Sequence, residues 1–302
     1  MKTPFFCLVA ILLGYGWSLG LAQDSPDQKP SKKSRPLDYV GQRILNLKPD
    51  RKIIYKRIDD RELELHLFLP EGWKPTDQRT CFHIIHGGGW TGMDPSRMYP
   101  FAADFVQRHG MVGVCVQYRL AKADRSVTVF DCVKDARSSV RYVRAHAEEL
   151  GIDPDKIIVS GGSAGGHLAA STALFDEVNE EGDDLSVSTA PNAMVLFFPV
   201  IDTSAEGYGQ KKIGDRWQEL SPVHHVRAGL PPTITFHGTG DVVTPFQGAK
   251  EFHEKMIAAG NHSELVVNDG GGHGYLMRKE SLYQEMIDAS SKFFESLKLA
   301  TP

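Results

Sequence analysis

The chain has 302 residues, a formal net charge of −4 and a pI near 6.3. Charged residues make up 24% and hydrophobic residues 41% of it, which is ordinary for a folded globular protein. The low net charge, and a sequence without a basic stripe interleaved with aromatic residues, argue against binding to nucleic acid. The length allows one large α/β domain or two small ones.

Residues 1–22 have the pattern of a secretory signal peptide. Lys2 precedes an apolar run that ends near Leu13, and small residues follow, so we expect cleavage after Ala22. A transmembrane anchor is the alternative, but the run is short for a span and glycines interrupt its tail. The sequence therefore predicts a secreted or periplasmic protein with no membrane attachment after signal cleavage.

The stretch before the first predicted strand is polar. Residues 23–38, QDSPDQKPSKKSRPLD, contain prolines and many charged residues. We therefore expect residues 23–45 to form a flexible polar lead-in and residues 46–302 to form the folded domain.

Three cysteines remain after signal cleavage, Cys81, Cys115 and Cys132. An odd number of widely spaced cysteines does not form a disulfide framework. We interpret all three as small buried apolar residues and leave one disulfide among them open. No CxxC or Cys/His cluster has the spacing of metal ligands, so the sequence predicts neither a metal nor an organic cofactor.

Strand and helix patterns alternate in the rest of the chain. The segments KIIYKRI and LELHLFLP flank the turn DDRE and predict a hairpin. Further strands are predicted in CFHII, MVGVCVQYRL, KIIVSGG, AMVLFFPV, TITFHG and SELVVND. Helices are predicted at 130–149, 246–259 and 279–298. This alternation predicts an α/β fold with a mostly parallel central sheet and helices on both faces.

The segment IIVSGGSAGG is read as a strand, a sharp turn and the start of a helix, with Ser163 at the turn. The pentapeptide from Gly161 to Gly165 fits the G-x-S-x-G pattern of a nucleophilic serine on such a turn. Glycine neighbours let the backbone and helix crowd the serine, and the helix N-terminus favours negative charge on a substrate oxygen. A nucleotide-binding loop is the alternative, but the segment matches neither GxGxxG nor a Walker A loop.

A second glycine run, HGGGW, occupies residues 86–90 after a predicted strand. An oxyanion hole needs two or three converging N–H donors, and glycine leaves such donors unshielded. We predict that Gly88 and Gly89 supply two of them and that Ala164, directly after the serine, supplies a third. His86 is interpreted as a support for this loop rather than as a base.

A general base and its acidic partner are expected late in the chain. His273 lies in DGGGHGY directly after the strand SELVVND, and Asp241 follows the preceding strand in FHGTGDVVTP. We predict that Ser163, Asp241 and His273 form a catalytic triad in which Asp241 orients the imidazole. Asp202, which also follows a strand, is the rival acid, whereas Asp269 is interpreted as a turn residue.

Four further polar residues are assigned structural roles. We expect His167 and His237, which lie close to site residues in the sequence, to pack or form hydrogen bonds. We expect Asp135 and Arg119 to form a buried ion pair that ties a helix to the sheet.

The ordered motifs together resemble the α/β-hydrolases, in their hormone-sensitive-lipase-like and feruloyl- or acetyl-xylan-esterase-like branch. The likeness covers about residues 50–298 and is carried by HGGGW, YRL, GIDPDKIIVSGGSAGGHLA, SPVHHV, PPTITFHGTGD and GGGHG. It implies an α/β-hydrolase catalytic domain over residues 46–302. The family's nucleophile, acid, base and oxyanion glycines fall on the residues already named.

The chain departs from the lipase-like members at three points. Gly162 stands where they usually carry Asp, YRLAKA stands where they often carry YRLAPE, and few residues precede the first strand. The GGSAGG form and the proline after Asp241 look more like the carbohydrate-esterase-like branch. The resemblance therefore implies no large cap domain and argues against long-chain lipid substrates.

The sequence predicts a serine carboxylic-ester hydrolase for short acyl groups, chiefly acetyl, on carbohydrates or similar polar alcohols. A feruloyl esterase is the main alternative, with Trp90 or Trp217 lining the pocket and stacking on the aromatic ring. Residues 207–217 form either a small rim over the site or a solvated loop. A general short-chain carboxylesterase, a serine peptidase of prolyl-oligopeptidase type and a non-catalytic binding protein remain as alternatives, and the oligomeric state stays open.

Overall fold

The structure is a computed structural model that describes residues 37–300. These residues contain an eight-stranded sheet. Its strands are β1 (Arg51–Ile58), β2 (Arg61–Phe68), β3 (Arg79–Ile85), β4 (Val112–Val116), β5 (Ile152–Gly162), β6 (Ala193–Phe197), β7 (Thr233–Gly238) and β8 (Ser263–Asn268). The order in the sheet is β1-β2-β4-β3-β5-β6-β7-β8. β1 and β2 form the predicted hairpin, β2 pairs antiparallel with β4, and the remaining pairs are parallel. The predicted mostly parallel sheet is confirmed.

The helices within residues 37–300 include the three whose bounds the sequence predicts and the one expected to begin after Ser163. They are α1 (Tyr39–Ile44), α2 (Tyr99–His109), α3 (Val129–Ala145), α4 (Ala164–Leu174), α5 (Gln210–Ile213), α6 (Phe246–Ala258) and α7 (Glu280–Ser296). The predictions for α3, α6 and α7 are confirmed within a few residues. Helix α2 was not predicted, although a proline in its first turn and the left-handed Gly110 at its C-terminus are the usual boundary signals.

The sheet separates two apolar cores. In β5, Ile157 and Val159 contribute to one core and Ile158 to the other, as the alternation of side chains along a strand requires. The first core includes apolar residues of α3, α4 and α6, and the second includes residues of α2 and α7. Helices therefore cover both faces of the sheet, as predicted.

The carboxyl ends of four parallel strands carry the predicted site residues. The glycine run follows β3, Ser163 follows β5, Asp241 follows β7 and His273 follows β8. Because parallel strands end at the same edge of a sheet, one edge receives the predicted triad and the predicted oxyanion glycines.

The predicted flexible lead-in is wrong at its C-terminal end, because residues 39–44 form α1. Asp38 caps this helix by accepting a hydrogen bond from the Gly41 N–H, at 2.7 Å, and pairs with the Arg97 guanidinium. A six-residue helix is unstable alone, so it depends on such tertiary contacts. Val40 is fully buried, and Arg43 binds Asp104 on α2 through two hydrogen bonds. The predicted signal peptide and the lead-in up to residue 36 lie outside the described residues.

A buried charged network ties α3 to the sheet. Arg119 Nε and Nη2 donate to the two oxygens of Asp135, each at 2.8 Å, so the predicted ion pair is confirmed. Lys56 on β1 also donates to Asp135, at 2.7 Å, and both cations contact Glu180. The fully buried Asp135 carboxylate is therefore compensated by two cations, which buried charges require.

Cys81, Cys115 and Cys132 are free and buried, so the disulfide that the sequence left open is not formed. No helix within residues 37–300 has the length and apolarity needed to cross a membrane. In the same range, no group of three or more His, Cys, Asp or Glu residues is placed to hold a metal ion.

Candidate active site

Ser163 occupies a strained turn between β5 and α4. Its backbone has φ 57° and ψ −122°, in a region that residues with a side chain rarely adopt. The surroundings hold this geometry, because the Ser163 N–H donates to the Phe197 carbonyl at 2.9 Å and its own carbonyl accepts from Val200 and His167. The strained backbone places the hydroxyl above the sheet edge.

The glycines around Ser163 are required by close backbone contacts. A methyl group at Gly161 would lie 2.2 Å from the Gly165 carbonyl oxygen. A methyl group at Gly165 would lie 2.2 Å from the Ile85 carbonyl oxygen at the end of β3. Any side chain at either position would push β3, β5 and α4 apart, so the motif is needed for the packing of the turn.

The three residues predicted as a triad lie together. His273 Nε2 is 2.9 Å from Ser163 Oγ, and His273 Nδ1 is 2.8 Å from Asp241 Oδ2. These distances are within the range for hydrogen bonds, and they connect side chains that are 110 and 32 residues apart in the chain.

Asp241 is bound by several donors. Its Oδ1 accepts from the backbone N–H groups of Val243 and Thr244, and its Oδ2 accepts from the Thr244 hydroxyl. Burial by itself raises the pKa of this carboxyl, but the hydrogen bonds from His273 and Thr244 outweigh it and lower the pKa below its ordinary value. Asp241 is therefore an anion that accepts the proton of His273 Nδ1, and Nε2 is left as the acceptor for Ser163.

The predicted oxyanion donors are unpaired in the part of the chain that the structure describes. The N–H groups of Gly88 and Gly89 have no acceptor there, and neither does the N–H of Ala164 in the first turn of α4. Gly88 and Gly89 line the same cavity as Ser163 and have φ angles of 99° and 59°, which favour glycine. Three free donors beside a serine hydroxyl can bind developing negative charge.

His86 supports the glycine loop, as predicted. The ring is buried, stacks on Tyr118 with a centroid distance of 4.3 Å, and donates through Nδ1 to the Gly87 carbonyl. Burial lowers the pKa of His86 to about 4, so the ring is neutral near pH 7. The Tyr118 hydroxyl contacts the carbonyl oxygens of His86 and Gly87, each at 3.1 Å, and these contacts hold the loop in place.

A cavity of about 360 Å³ opens at Ser163 and His273. Its apolar wall consists of Met93, Met98, Phe198, Val243 and Met277. Its polar wall includes Asp38, Arg97, Tyr208 and Arg278. The lead-in segment therefore contributes to the site, which the sequence did not predict.

Neither tryptophan predicted to line the substrate pocket does so. Trp90 is 0% exposed and packs under the glycine loop, where its Nε1 donates to His167 Nδ1 at 3.3 Å. Trp217 lines a separate cavity with Asp202 and His224. Trp90 is kept out of the cavity because residues 207–213 cover it: a methyl group at Gly209 would lie 2.7 Å from the indole ring.

His167 and His237 have the structural roles predicted for them. His167 Nε2 donates to the Leu220 carbonyl at 2.7 Å, and His237 Nε2 donates to the Thr244 carbonyl at 2.8 Å. Burial lowers the pKa of both rings, to about 4 for His167. Both are neutral supports near physiological pH.

The rival acid Asp202 does not reach His273. Its two oxygens accept from the backbone N–H and the hydroxyl of Ser204, each at 2.8 Å. Asp269 accepts from the Thr239 hydroxyl at 2.9 Å, as expected of a turn residue. Asp241 is therefore the carboxylate in contact with His273.

Comparison with known proteins places these features in a family. Residues 65–256 match the BD-FAE family. The chain is 26% identical to a probable isoprenylcysteine alpha-carbonyl methylesterase of Arabidopsis thaliana, over 77% of this chain and 52% of that protein. It is also 26% identical to an acetylxylan esterase of Xylanibacter ruminicola, over 74% of this chain and 46% of that protein. The chain spans about half the length of these curated relatives.

Among solved structures, the chain is similar to Thermogutta terrifontis esterase 2. The form phosphoramylated by tabun has 40% sequence identity and a TM-score of 0.79, over 83% of this chain and 96% of that chain. The propionate-bound form has 38% identity and a TM-score of 0.78, over 83% and 96%. Because the family match covers more than half of the sequence and the likeness to esterase 2 spans nearly that whole enzyme, the chain belongs to the BD-FAE family of esterase-like α/β-hydrolases.

Proposed function

We propose that this protein is a serine carboxylic-ester hydrolase with Ser163 as nucleophile, His273 as general base and Asp241 as the residue that orients His273. The observation that carries the proposal is the continuous hydrogen-bonded chain from Ser163 to Asp241 beside unpaired backbone donors. A serine activated by a base, and a base held by a third group, form the arrangement that acyl transfer requires.

In the proposed reaction, Ser163 Oγ attacks the ester carbonyl carbon while His273 Nε2 accepts the serine proton. The N–H groups of Gly88, Gly89 and Ala164 bind the oxyanion. His273 then donates its proton to the departing alcohol, and Ser163 is left acylated. Water, deprotonated by the same Nε2, attacks the acyl carbon, so that the carboxylic acid leaves and the serine is regenerated.

The proposed substrates are short acyl esters, chiefly acetyl, of carbohydrates or similar polar alcohols. A cavity of about 360 Å³ that must hold both parts of an ester leaves little room for a long acyl chain. Each methylene that finds no apolar wall forgoes about 0.8 kcal/mol of binding. An acetylxylan esterase among the relatives, and a solved esterase 2 with propionate bound, support a short acyl group.

A feruloyl group receives less support. The two tryptophans expected to stack on its ring are buried under the glycine loop or placed in another cavity. Of the aromatic side chains in the described residues, only Phe198 and Tyr208 line the Ser163 cavity.

The acyl preference is tested by kcat/KM for acetyl, octanoyl and feruloyl esters of one alcohol. We expect acetyl to be preferred, and a tenfold or larger preference for octanoyl contradicts the proposal.

The assignment of the nucleophile is tested by Ser163→Ala. It should unfold at the wild-type temperature and lose about 10³-fold or more of kcat on p-nitrophenyl acetate. Wild-type kcat in this variant contradicts the assignment of the nucleophile.

We further propose that the protein is exported, with residues 1–22 removed. The support is the charged, apolar and small-residue pattern of this segment. N-terminal sequencing of the mature protein should begin at Gln23. An intact N-terminus on a cell-associated product contradicts the proposal.

A further inference from the structure

Tyr208 and Lys212 form a polar pair beside the glycine loop that the proposed reaction does not use. Lys212 Nζ donates to the Gly89 carbonyl at 3.0 Å and to the Tyr208 hydroxyl at 2.8 Å. A methyl group at Gly89 would lie 2.6 Å from Tyr208 Oη and 2.8 Å from Lys212 Nζ. Both polar groups therefore lie against the residue that supplies a predicted oxyanion donor.

The Tyr208 ring is held in place by its neighbours. The backbone N–H of Tyr208 donates to the Asp202 carbonyl at 2.9 Å, and the centroid of its ring is 5.6 Å from that of Trp90. Gly209, with φ 105°, lets the chain run directly over the indole before α5 begins. This explains why Trp90 is buried: it supports the segment that carries the pair.

The hydrogen bond from Lys212 decides what the tyrosine can offer. An ammonium group only donates, so Tyr208 Oη accepts from it and must direct its own proton elsewhere. No acceptor for that proton exists among the described residues, and Tyr208 lines the Ser163 cavity. Lys212 also keeps one N–H beyond the two it uses. Tyr208 thus presents a free donor to the cavity of Ser163, and the exposed Lys212, which does not line that cavity, fixes the direction of this donor.

The geometry points to the Tyr208 hydroxyl, oriented by Lys212, as a subsite for an oxygen of the alcohol part of the ester, such as a hydroxyl of a polyhydroxylated alcohol. This inference rests on the proposed function. An acetyl group has one oxygen besides the ester oxygen, and the oxyanion donors take it, so a further oxygen has to come from the alcohol. An alcohol without that oxygen leaves the Tyr208 donor unpaired, and a site built to hydrogen-bond an oxygen discriminates against such an analogue.

The test compares two acetates of similar size, glycerol 1-monoacetate and propyl acetate, by the rate of acetate release. Wild type should have the higher kcat/KM on the glycerol ester. Tyr208→Phe should lower the ratio of the two kcat/KM values about five- to tenfold, the effect of losing one neutral hydrogen bond. Tyr142→Phe, which removes a tyrosine hydroxyl on α3 away from the cavity, is the matched control and should keep the wild-type ratio.

Lys212 is a positioning residue in this inference. Lys212→Met should lower the same ratio, because the Tyr208 hydroxyl loses the donor that orients its proton, and Lys212→Arg should retain most of it. A ratio that stays at the wild-type value in Tyr208→Phe, or in Lys212→Met, overturns the subsite. The proposed function fails separately, if Ser163→Ala hydrolyses both esters at the wild-type rate.

Discussion

The two ends of α4 are built in opposite ways. At its N-terminus, Ser163 has a strained backbone and the Ala164 N–H has no acceptor among the described residues. At its C-terminus, two arginines bind the last carbonyl groups. Arg137 Nη1 donates to the carbonyls of Ser171 and Thr172, and Arg227 donates to those of Ala173 and Leu174, over distances of 3.0 to 3.3 Å.

The contrast shows how an active helix end can be tolerated. Unpaired donors and positive φ cost stability, and they persist only where the surroundings fix the structure. Arg137 is 3% exposed, and its guanidinium also binds Asn179. Burial and the neighbouring Arg141 lower the pKa of Arg137 to about 10, which leaves it charged at neutral pH. The saturated C-terminus holds the helix in place while the N-terminus keeps its donors for a ligand.

The largest expected effect is a loss of kcat, from a change near the N-terminus of α4, where Ser163 lies. Asp241→Asn should lower kcat on p-nitrophenyl acetate by about 10⁴-fold, because an amide stabilises the wrong tautomer of His273. Asp202→Asn is the matched control and should change kcat little, since within residues 37–300 the Asp202 carboxylate accepts hydrogen bonds only from Ser204. The reverse result would make Asp202 the acid of the triad.

A change at the C-terminus of α4 should affect stability rather than kcat. Arg137→Ala removes a buried, charged donor from two carbonyls of α4, which keep only the Phe175 N–H and the Thr189 hydroxyl, and this should lower the free energy of unfolding by about 2–3 kcal/mol. Urea unfolding measures this loss, and kcat per folded molecule should remain close to wild type. A normal unfolding midpoint combined with a large loss of kcat would contradict the division of roles between the two ends.

A smaller effect is expected on the pH dependence of the free energy of unfolding, through a residue near the N-terminus of α4. His167, near the N-terminus of α4, has its pKa lowered by burial to about 4, so the folded state binds fewer protons than the unfolded state between about pH 4 and 6.5. Its contribution to stability is complete above pH 6.5 and is lost as the pH falls towards 4. By pH 5 this loss should be on the order of 2 kcal/mol.

The pH effect is measured as the free energy of unfolding from pH 7 to pH 5. His167→Gln should show a shallower fall than wild type, while Arg137→Gln should keep the wild-type slope, because neither arginine nor glutamine titrates in this range. Equal slopes in wild type and His167→Gln would show that His167 does not contribute.

Much of the site could be predicted from the sequence because it depends on strand order. Ser163, Asp241 and His273 each follow a predicted strand, and parallel strands end at one edge, so their proximity follows from topology. The glycines of the motif are likewise predictable, since they are needed for local backbone contacts.

The residues that were missed or misplaced depend on contacts between distant segments. Trp90 is buried because Gly209 lies over it, 119 positions later in the chain. Lys212 reaches Gly89 from a four-residue helix without a strong periodic pattern. Asp38 lines the cavity from a segment whose composition resembles a linker. Spacing along the chain carries no signal for such packing.

The reactivity of Ser163 is tested most directly by covalent labelling with a fluorophosphonate, followed by mass spectrometry of the peptides. The structure predicts one adduct per chain on Ser163, no adduct in Ser163→Ala, and much slower labelling in Asp241→Asn. A wild-type protein that stays unlabelled, or an adduct on another residue, would contradict the assignment of Ser163 as the nucleophile.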